Sequence, residues 1–305
     1  MHISTAPFSV RDAQSCHVLE MLRPVTMNDQ PLIQRYLSAY PPQISELTFT
    51  NLYCWAEARH HLFLEYDGHL LVTFRDAHCT LNFYPPVGPD PVRIMHTIFS
   101  GLKKYCWARI PEHPGHTVAQ KDMRLILDRS NSDYVYSLSD LRALSGKKYD
   151  GKRNFIKRFE ALNPEVRPLT ADDADACMRI QERWLEFRGK NDPSMLDEST
   201  ALMNAMRHFD ALAITGIGVE VDSHLAGFAI GEPLNGDTFV EHFEKGLKDY
   251  PGIYPFLLRQ FARSVPQRFT SLNREQDLGI PSIRTSKESW QPSFVLRKFS
   301  IRISP

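Results

Sequence analysis

Alternating and four-spaced apolar positions divide the chain into short strands and amphipathic helices, and residues 239–265 carry the clearest pattern. Phe239, Glu241 and Phe243 alternate with Val240, His242 and Glu244, the period of two of a strand, which predicts acidic groups on both faces. After Tyr250-Pro251-Gly252 the apolar residues fall at Ile253, Leu257, Phe261 and Val265, flanked by Tyr254, Leu258 and Ala262. That is a broad helical stripe, with Pro255 in a first turn that tolerates the loss of an amide hydrogen. The opening amides of such a helix have no partner within it. Beside a glycine that admits close approach, they make a candidate seat for a phosphate or an oxyanion.

The same reading applied to residues 22–140 predicts a short strand at 22–25, a helix through Leu32, Ile33, Tyr36 and Leu37, and a hairpin turning at Asp67-Gly68. A strand at 79–84, a helix bearing Val92, Met95 and Ile98, and strands near 125–127 and 134–138 follow. Glu112-His113-Pro114-Gly115-His116 reads as a loop with too few ligands for a metal. Residues 141–164 form an amphipathic helix starting near Lys152, with Phe155, Ile156, Phe159 and Leu162 on one face. From 165 the order is strand 166–169, a helix behind Thr170 with Cys177, Ile180 and Trp184 inward, a second helix after Asp197, then antiparallel strands 216–221 and 225–230. The 239–265 stretch follows, then a strand at 269–273, a short helix from Pro281, and a final strand over 294–303.

A length of 305 residues exceeds one ordinary core. The expected division is a non-core segment 1–21, domains 22–140 and 165–305, and the linker helix 141–164 between them. Formal net charge is zero, so a polyanionic partner has to be met by a local basic surface. One exists: Arg142, Lys147, Lys148, Lys152, Arg153, Lys157 and Arg158 face only Asp150 and Glu160 within the linker. Charge alone fits a solvated helix and a contact with phosphates or a tRNA backbone equally well. No apolar run approaches the ~20 residues of a membrane span, and the first 20 residues lack a secretory pattern. The five cysteines, without CxxC spacing, fit reduced thiols in a cytoplasm.

Acyl transfer needs a base, donors aimed at the oxyanion and a cleft for the leaving group. Glu241 and Glu244 are candidate bases, with His242 in reserve. For any one carboxylate, a structural pairing with Lys245, Arg274 or Lys287 outweighs the catalytic reading. Asn273, Arg274, Glu275 and Asp277 follow a strand, where polar groups line a cleft mouth, and a carboxylate there would hold the amino group of an aminoacyl donor. Trp290 and Tyr254 fit a core better than a ligand wall.

The element order of 165–303 resembles the acyltransferase fold of the GNAT superfamily, and the first half resembles a less regular copy. Specific motifs narrow the resemblance: Lys147-Lys148-Tyr149 with Lys152-Arg153-Asn154-Phe155, Phe239-Val240-Glu241 with Glu244-Lys245, Tyr250 to Tyr254, Asn273 to Gly279, and Lys287 to Pro292. Together they are similar to the family known by the C-terminal, synthase domain of phosphatidylglycerol lysyltransferase. In relatives of known activity that domain moves an aminoacyl group from a charged tRNA to a lipid hydroxyl, and Fem-type enzymes, also tandem GNAT units, transfer to cell-wall peptides.

The resemblance implies an α+β fold, two GNAT-like domains in tandem with mixed central sheets flanked by helices. It implies an acyl or aminoacyl transferase using aminoacyl-tRNA or acyl-coenzyme A as donor substrate, without a tightly bound cofactor, on a small-molecule, peptide or lipid acceptor. The apolar spans of the lipid enzymes do not occur in this sequence, which counts against a lipid. Donor or phosphate contacts are expected at Tyr250, Gly252, Ile253, Tyr254, Lys147, Lys148, Lys152, Arg153, Asn154 and Lys157, and ligand contacts at Asn273, Arg274, Glu275, Asp277, Lys287 and Trp290. The alternatives are an acyl-coenzyme A dependent N-acyltransferase of a small amine and a non-catalytic ligand-binding module.

Overall fold

The computed structural model describes residues 18–76, 80–99, 106–118, 123–188 and 193–303. They form two compact units. One comprises the residues up to Tyr40, Ala56–Arg129 and the segment from Arg297; the other comprises Pro41–Trp55 and Ser130–Leu296.

Each unit is built on one seven-stranded mixed sheet, and the two sheets share a plan. The first runs Arg23–Pro24, Leu62–Tyr66, His69–Arg75, Leu81–Phe83, Cys106–Pro111, Lys298–Ile303, Met123–Leu127. The second runs Glu165–Pro168, Thr215–Val221, His224–Pro233, Thr238–Gly246, Ser271–Asn273, Asp133–Ser137, Phe294–Leu296. Neighbours are antiparallel except at the fourth and fifth strands of each sheet, which are parallel. In both sheets the sixth strand arrives out of turn. Lys298–Ile303, following the whole second unit, lies between Cys106–Pro111 and Met123–Leu127, while Asp133–Ser137, following the first unit's strands, lies in the second sheet.

This exchange departs from the sequence reading in two places. The strand expected over 294–303 breaks at Arg297 and divides between the sheets, and the strand near 134–138 pairs with Ser271–Asn273. A period of two reports that a segment is extended, not which sheet receives it. Likewise Glu112–Val118 is helical, kinked at His113 (φ −111, ψ 113), where proline and glycine suggested a loop. Val18, inside the segment 1–21 expected to lie outside the core, is buried in the first core. Residues 1–17, with Cys16, and also Cys79 lie outside the described residues. Cys54, Cys106 and Cys177 are buried free thiols.

The Asp67-Gly68 hairpin forms as expected, with φ of 48 and 72 at the two residues, the left-handed pair that a tight hairpin turn demands. In the second unit the helix Ile253–Ser264 lies against strands 215–221, 224–233 and 238–246 and against helices Leu138–Ala143 and Asp150–Glu160. Its buried face is Ile253, Phe256, Leu257, Leu258, Phe261 and Ala262, which joins Tyr136, Ile156, Phe159 and Leu272 in one core. Each such fully buried large side chain contributes roughly 1.5–3 kcal/mol. The segment Pro41–Trp55 brings a helix, Phe49–Cys54, begun by the Thr48 side chain accepting from the Asn51 amide at 3.1 Å.

A chain stopped after Leu296 leaves Cys106–Pro111 and Met123–Leu127 without the strand that joins them. Limited proteolysis followed by mass spectrometry is expected to find its earliest cuts within residues 56–129.

Candidate functional site

The parallel pair in the second sheet is short. Thr238, Phe239 and Val240 register with Ser271, Leu272 and Asn273; beyond Asn273 this pairing stops, Arg274 and Glu275 bonding through their backbone to Tyr134 on the other side, while the first strand continues to Gly246. Along 241–246 that strand keeps only the neighbour on its other side, His224–Pro233.

That pairing is interrupted by a bulge. Ile230 faces Phe243 and Gly231 faces Glu241, so His242 is an extra residue. Gly231 makes the tight spot possible, since a Cβ there would lie 2.1 Å from the Val240 carbonyl oxygen. The extra residue reverses the alternation of the strand. Glu241 and Glu244, three apart and expected on opposite faces, therefore meet the same guanidinium. Arg274 Nε donates to Glu241 Oε2 at 2.5 Å and Arg274 Nη2 donates to Glu244 Oε2. The three side chains are almost wholly buried, at 4% exposure for Glu241, 14% for Glu244 and 9% for Arg274. The second oxygen of each carboxylate, Oε1, is buried without a hydrogen-bond partner.

Burial pushes the Glu244 carboxyl up, Arg274 opposes this and Glu241 adds to it, leaving a pKa of about 8. Lys287 donates from Nζ to the Arg274 carbonyl and sits 5.8 Å from the Tyr134 ring. Burial, then the charge of Arg274, push its ammonium down to about 8. Lys152, whose Nζ donates to Ser289 Oγ at 2.7 Å and lies 4.5 Å from the Trp290 ring, is also lowered, by burial and Arg274. Glu241 and Glu244, nominated from sequence as bases, thus form one cluster where the strands part with Arg274 and Lys287, nominated both as ligand contacts and as structural partners for those carboxylates.

His242 belongs to a second cluster. Its Nδ1 lies 2.8 Å from Glu275 Oε1 and its Nε2 2.9 Å from Glu232 Oε1, with Thr48 Oγ1 at 3.4 Å from Nε2. Burial alone would lower the imidazole, but the two carboxylates outweigh it and raise it to about 10. An imidazolium donating from both nitrogens has no lone pair for a proton, which removes His242 from the role of reserve base. Next to it, Asn273 Nδ2, Gln276 Nε2, and the amide and hydroxyl of Ser45 all donate to the buried carboxylate of Asp133 at 2.9–3.0 Å. Asp277 is occupied as well. Tyr134 Oη donates to it at 2.7 Å, Arg284 Nε at 2.8 Å and the Gly279 amide at 2.8 Å, so although burial raises its carboxyl, these bonds hold it well below the usual range. Asp277 is therefore a structural partner, while Glu275 spends Oε1 on His242 and on the Asn51 side-chain amide.

The helix tip also differs from expectation. Gly252, at φ 97, starts the helix, but a Cβ on it would meet the Phe155 carbonyl oxygen at 2.4 Å. The close approach it permits is to a neighbouring helix. Ile253 is buried and its amide donates to the Tyr250 carbonyl at 3.2 Å; Tyr250 packs against the core. Tyr254 Oη accepts from Trp184 Nε1 at 2.8 Å and donates to the Gly246 carbonyl at 3.1 Å, and Trp290 is a core residue. In the basic segment, Lys148 pairs with Asp140 at 3.1 Å and Arg153 caps the Leu144 and Gly146 carbonyls while pairing with Asp150. Lys147, Asn154, Lys157 and Arg158 are exposed, as is Phe155, with the Arg158 guanidinium 5.9 Å from its ring.

Sequence reasoning missed Glu232, Asp133, Ser45 and Thr48. An aspartate opening the apolar run Tyr134-Val135-Tyr136 was the one local signal. Ser45 and Thr48 are distant in sequence and meet the site only through folding, and Glu232 reaches it through the register of the adjacent strand. Among the described residues, no group of three or more His, Cys, Asp or Glu is arranged to hold a metal, and no helix is long and apolar enough to cross a membrane.

A model of the family described as phosphatidylglycerol lysyltransferase, C-terminal, matches residues 38–302. An uncharacterised protein of Mycoplasmoides gallisepticum is 26% identical over 187 residues, a match that spans 58% of this chain and 58% of that protein. The solved structure of a conserved protein of unknown function from Bacteroides thetaiotaomicron superposes with a TM-score of 0.85 at 28% identity, covering 93% of this chain and 99% of that one. L-PGS of Bacillus licheniformis superposes with a TM-score of 0.63 at 15% identity, covering 90% of this chain and 92% of that one.

Two outcomes follow from the geometry. Because the His242 pKa rises from 6.5 to about 10 on folding, its contribution to stability is complete below 6.5 and is lost as pH rises through about 10. The stability difference between the unmutated protein and His242→Gln, from urea midpoints, is expected to be largest near pH 6 and to shrink toward pH 10. Gly252→Ala combines a strained φ with a clash against backbone, so an unfolding free energy lower by about 1–3 kcal/mol is expected in the same assay.

Proposed function

Because this chain belongs to the phosphatidylglycerol lysyltransferase C-terminal family, and so to acyl and aminoacyl transferases of the GNAT type, we propose that it moves an aminoacyl group from aminoacyl-tRNA to an acceptor. The observation that carries this reading is the parting of Thr238–Gly246 from Ser271–Asn273 directly beside the buried Glu241–Arg274–Glu244 cluster. A backbone edge without its strand partner supplies oxyanion donors, and a carboxylate with a pKa of about 8 exchanges protons near neutral pH. Glu244 is accordingly the base for the acceptor's proton. Arg274 positions it, and Glu241 raises its basicity.

The donor side rests on the helix Asp150–Glu160 and the turn before it. Lys147, Lys157 and Arg158 are exposed there, with Phe155 among them, which suits phosphates together with an unpaired base. Lys152 and Arg153 are committed to contacts within the protein and set the helix in place. A second reading, acyl-coenzyme A with a small amine, keeps the same cluster. What weakens it is Gly252, whose open side is filled by the Phe155 carbonyl where a pyrophosphate would approach.

Filter binding of tRNA over a range of salt concentrations tests the donor. Affinity is expected to fall steeply with salt, and reversing Lys147, Lys157 and Arg158 to glutamate is expected to reduce it about tenfold or more and to flatten the salt slope. No affinity at low salt, or affinity indifferent to the reversal, removes tRNA as donor. A rise in Tm with acetyl-coenzyme A then favours the second reading.

A further inference from the structure

Glu241 and Glu244 each spend one oxygen on Arg274, and each leaves Oε1 buried with no hydrogen-bond partner. A buried carboxylate oxygen accepts strongly, and leaving it unmet costs more than the average hydrogen bond contributes. Two such oxygens on neighbouring carboxylates, already bridged on their other side by one cation, make a site for a second cation that carries several N–H donors. The charges agree. Arg274 neutralises one of the two carboxylates, and one negative charge remains whenever both are ionised.

We propose that the Oε1 atoms of Glu241 and Glu244 form a receptor for a primary ammonium, so that one reactant of this protein presents a free –NH3⁺ where the strands part. This deepens the transferase reading and rests on it for the identity of the reactant, but not for the existence of the receptor. The shared chemistry has two sources, the α-ammonium of an aminoacyl donor and the ammonium of an amine acceptor.

The charged and titratable groups around Glu244 include Arg274, Glu241, Lys287 and Lys245, together with Lys152, Tyr136 and Tyr254. Lys245 is held by Glu198 at 2.7 Å, and Lys287 by the Arg274 carbonyl. Neither is hydrogen-bonded to the orphan oxygens. Burial and the charge of Glu241 hold the Glu244 carboxyl above its ordinary value when the site is free, against the pull of Arg274. An arriving ammonium favours the ionised form, so binding drives proton release.

Calorimetric titration of the full chain at pH 7, in two buffers of different ionisation heat, tests this. The probes are L-alaninamide for the donor source and n-butylamine for the acceptor source. The controls are N-acetyl-L-alaninamide, which has no ammonium, and tetramethylammonium, which is a cation without N–H donors. At least one ammonium probe is expected to bind and release up to about one proton, with neither control binding. Alaninamide alone identifies the donor, and butylamine binding as well or better identifies an amine acceptor. Glu244→Gln is expected to weaken binding about tenfold or more and to abolish the proton release, and Glu241→Gln to weaken it similarly. Binding of either control as tight as that of the ammonium probes, or no binding of either ammonium probe to the unmutated protein, overturns the proposal. Comparing ligands on the unmutated chain keeps the test valid should a variant fail to fold. Because nothing is turned over, a negative result here is distinct from a failure to bind tRNA.

Discussion

One guanidinium carries one positive charge, and Arg274 holds two buried carboxylates. Removing ions from water costs several kcal/mol each, recovered only when geometry and charge are both satisfied. Here the geometry is met on one side of each carboxylate and the charge is met once. The cluster therefore sits at a balance that a single proton or cation can tip, which suits a place where strands separate and reactants enter. Around it the structure is less adjustable. Gly231 leaves room for the bulge, Tyr136 lies 5.8 Å from the guanidinium, and the Arg274 carbonyl takes the Lys287 ammonium.

The bulge at His242 makes two clusters out of one strand. It delivers Glu241 and Glu244 together to Arg274 and sets His242 between Glu232 and Glu275. An imidazolium donating to two carboxylates, next to an Asp133 carboxylate receiving donors from Ser45, Asn273 and Gln276, fastens the 41–55 segment to the strand ends. The first cluster is left partly unsatisfied, whereas in the second both ring nitrogens of His242 and both oxygens of Asp133 are engaged. Rigidity in the second keeps the backbone of 238–246 and 271–275 in position for the first.

Local pattern carried much of this. The stripe through Ile253, Leu257 and Phe261, the Asp67-Gly68 hairpin and the strand ending at Asn273 all declare themselves within a few residues, and the elements they announce are present. What escaped depends on registration between distant segments. One inserted residue turned two acidic side chains toward the same partner, and no period-two reading of a single strand contains that information. Gly252 is a comparable case. Its freedom was legible, but whether a ligand or another helix uses it depends on residue 155, which the linker helix brings alongside. Glu275 and Asp277 were legible as polar residues at a strand end, but not their partners His242, Arg284 and Tyr134, which lie elsewhere in the chain.

The sheets' exchange of sixth strands bears on how the chain is made. Lys298–Ile303 occupies an interior position among strands of the first sheet but is translated only after the entire second unit. A ribosome therefore releases the first unit with an open edge on Cys106–Pro111, exposed for as long as synthesis of the second unit lasts. Maturation is thus settled in one late step, and the nascent chain has a window in which chaperones or sister polypeptides compete for that edge.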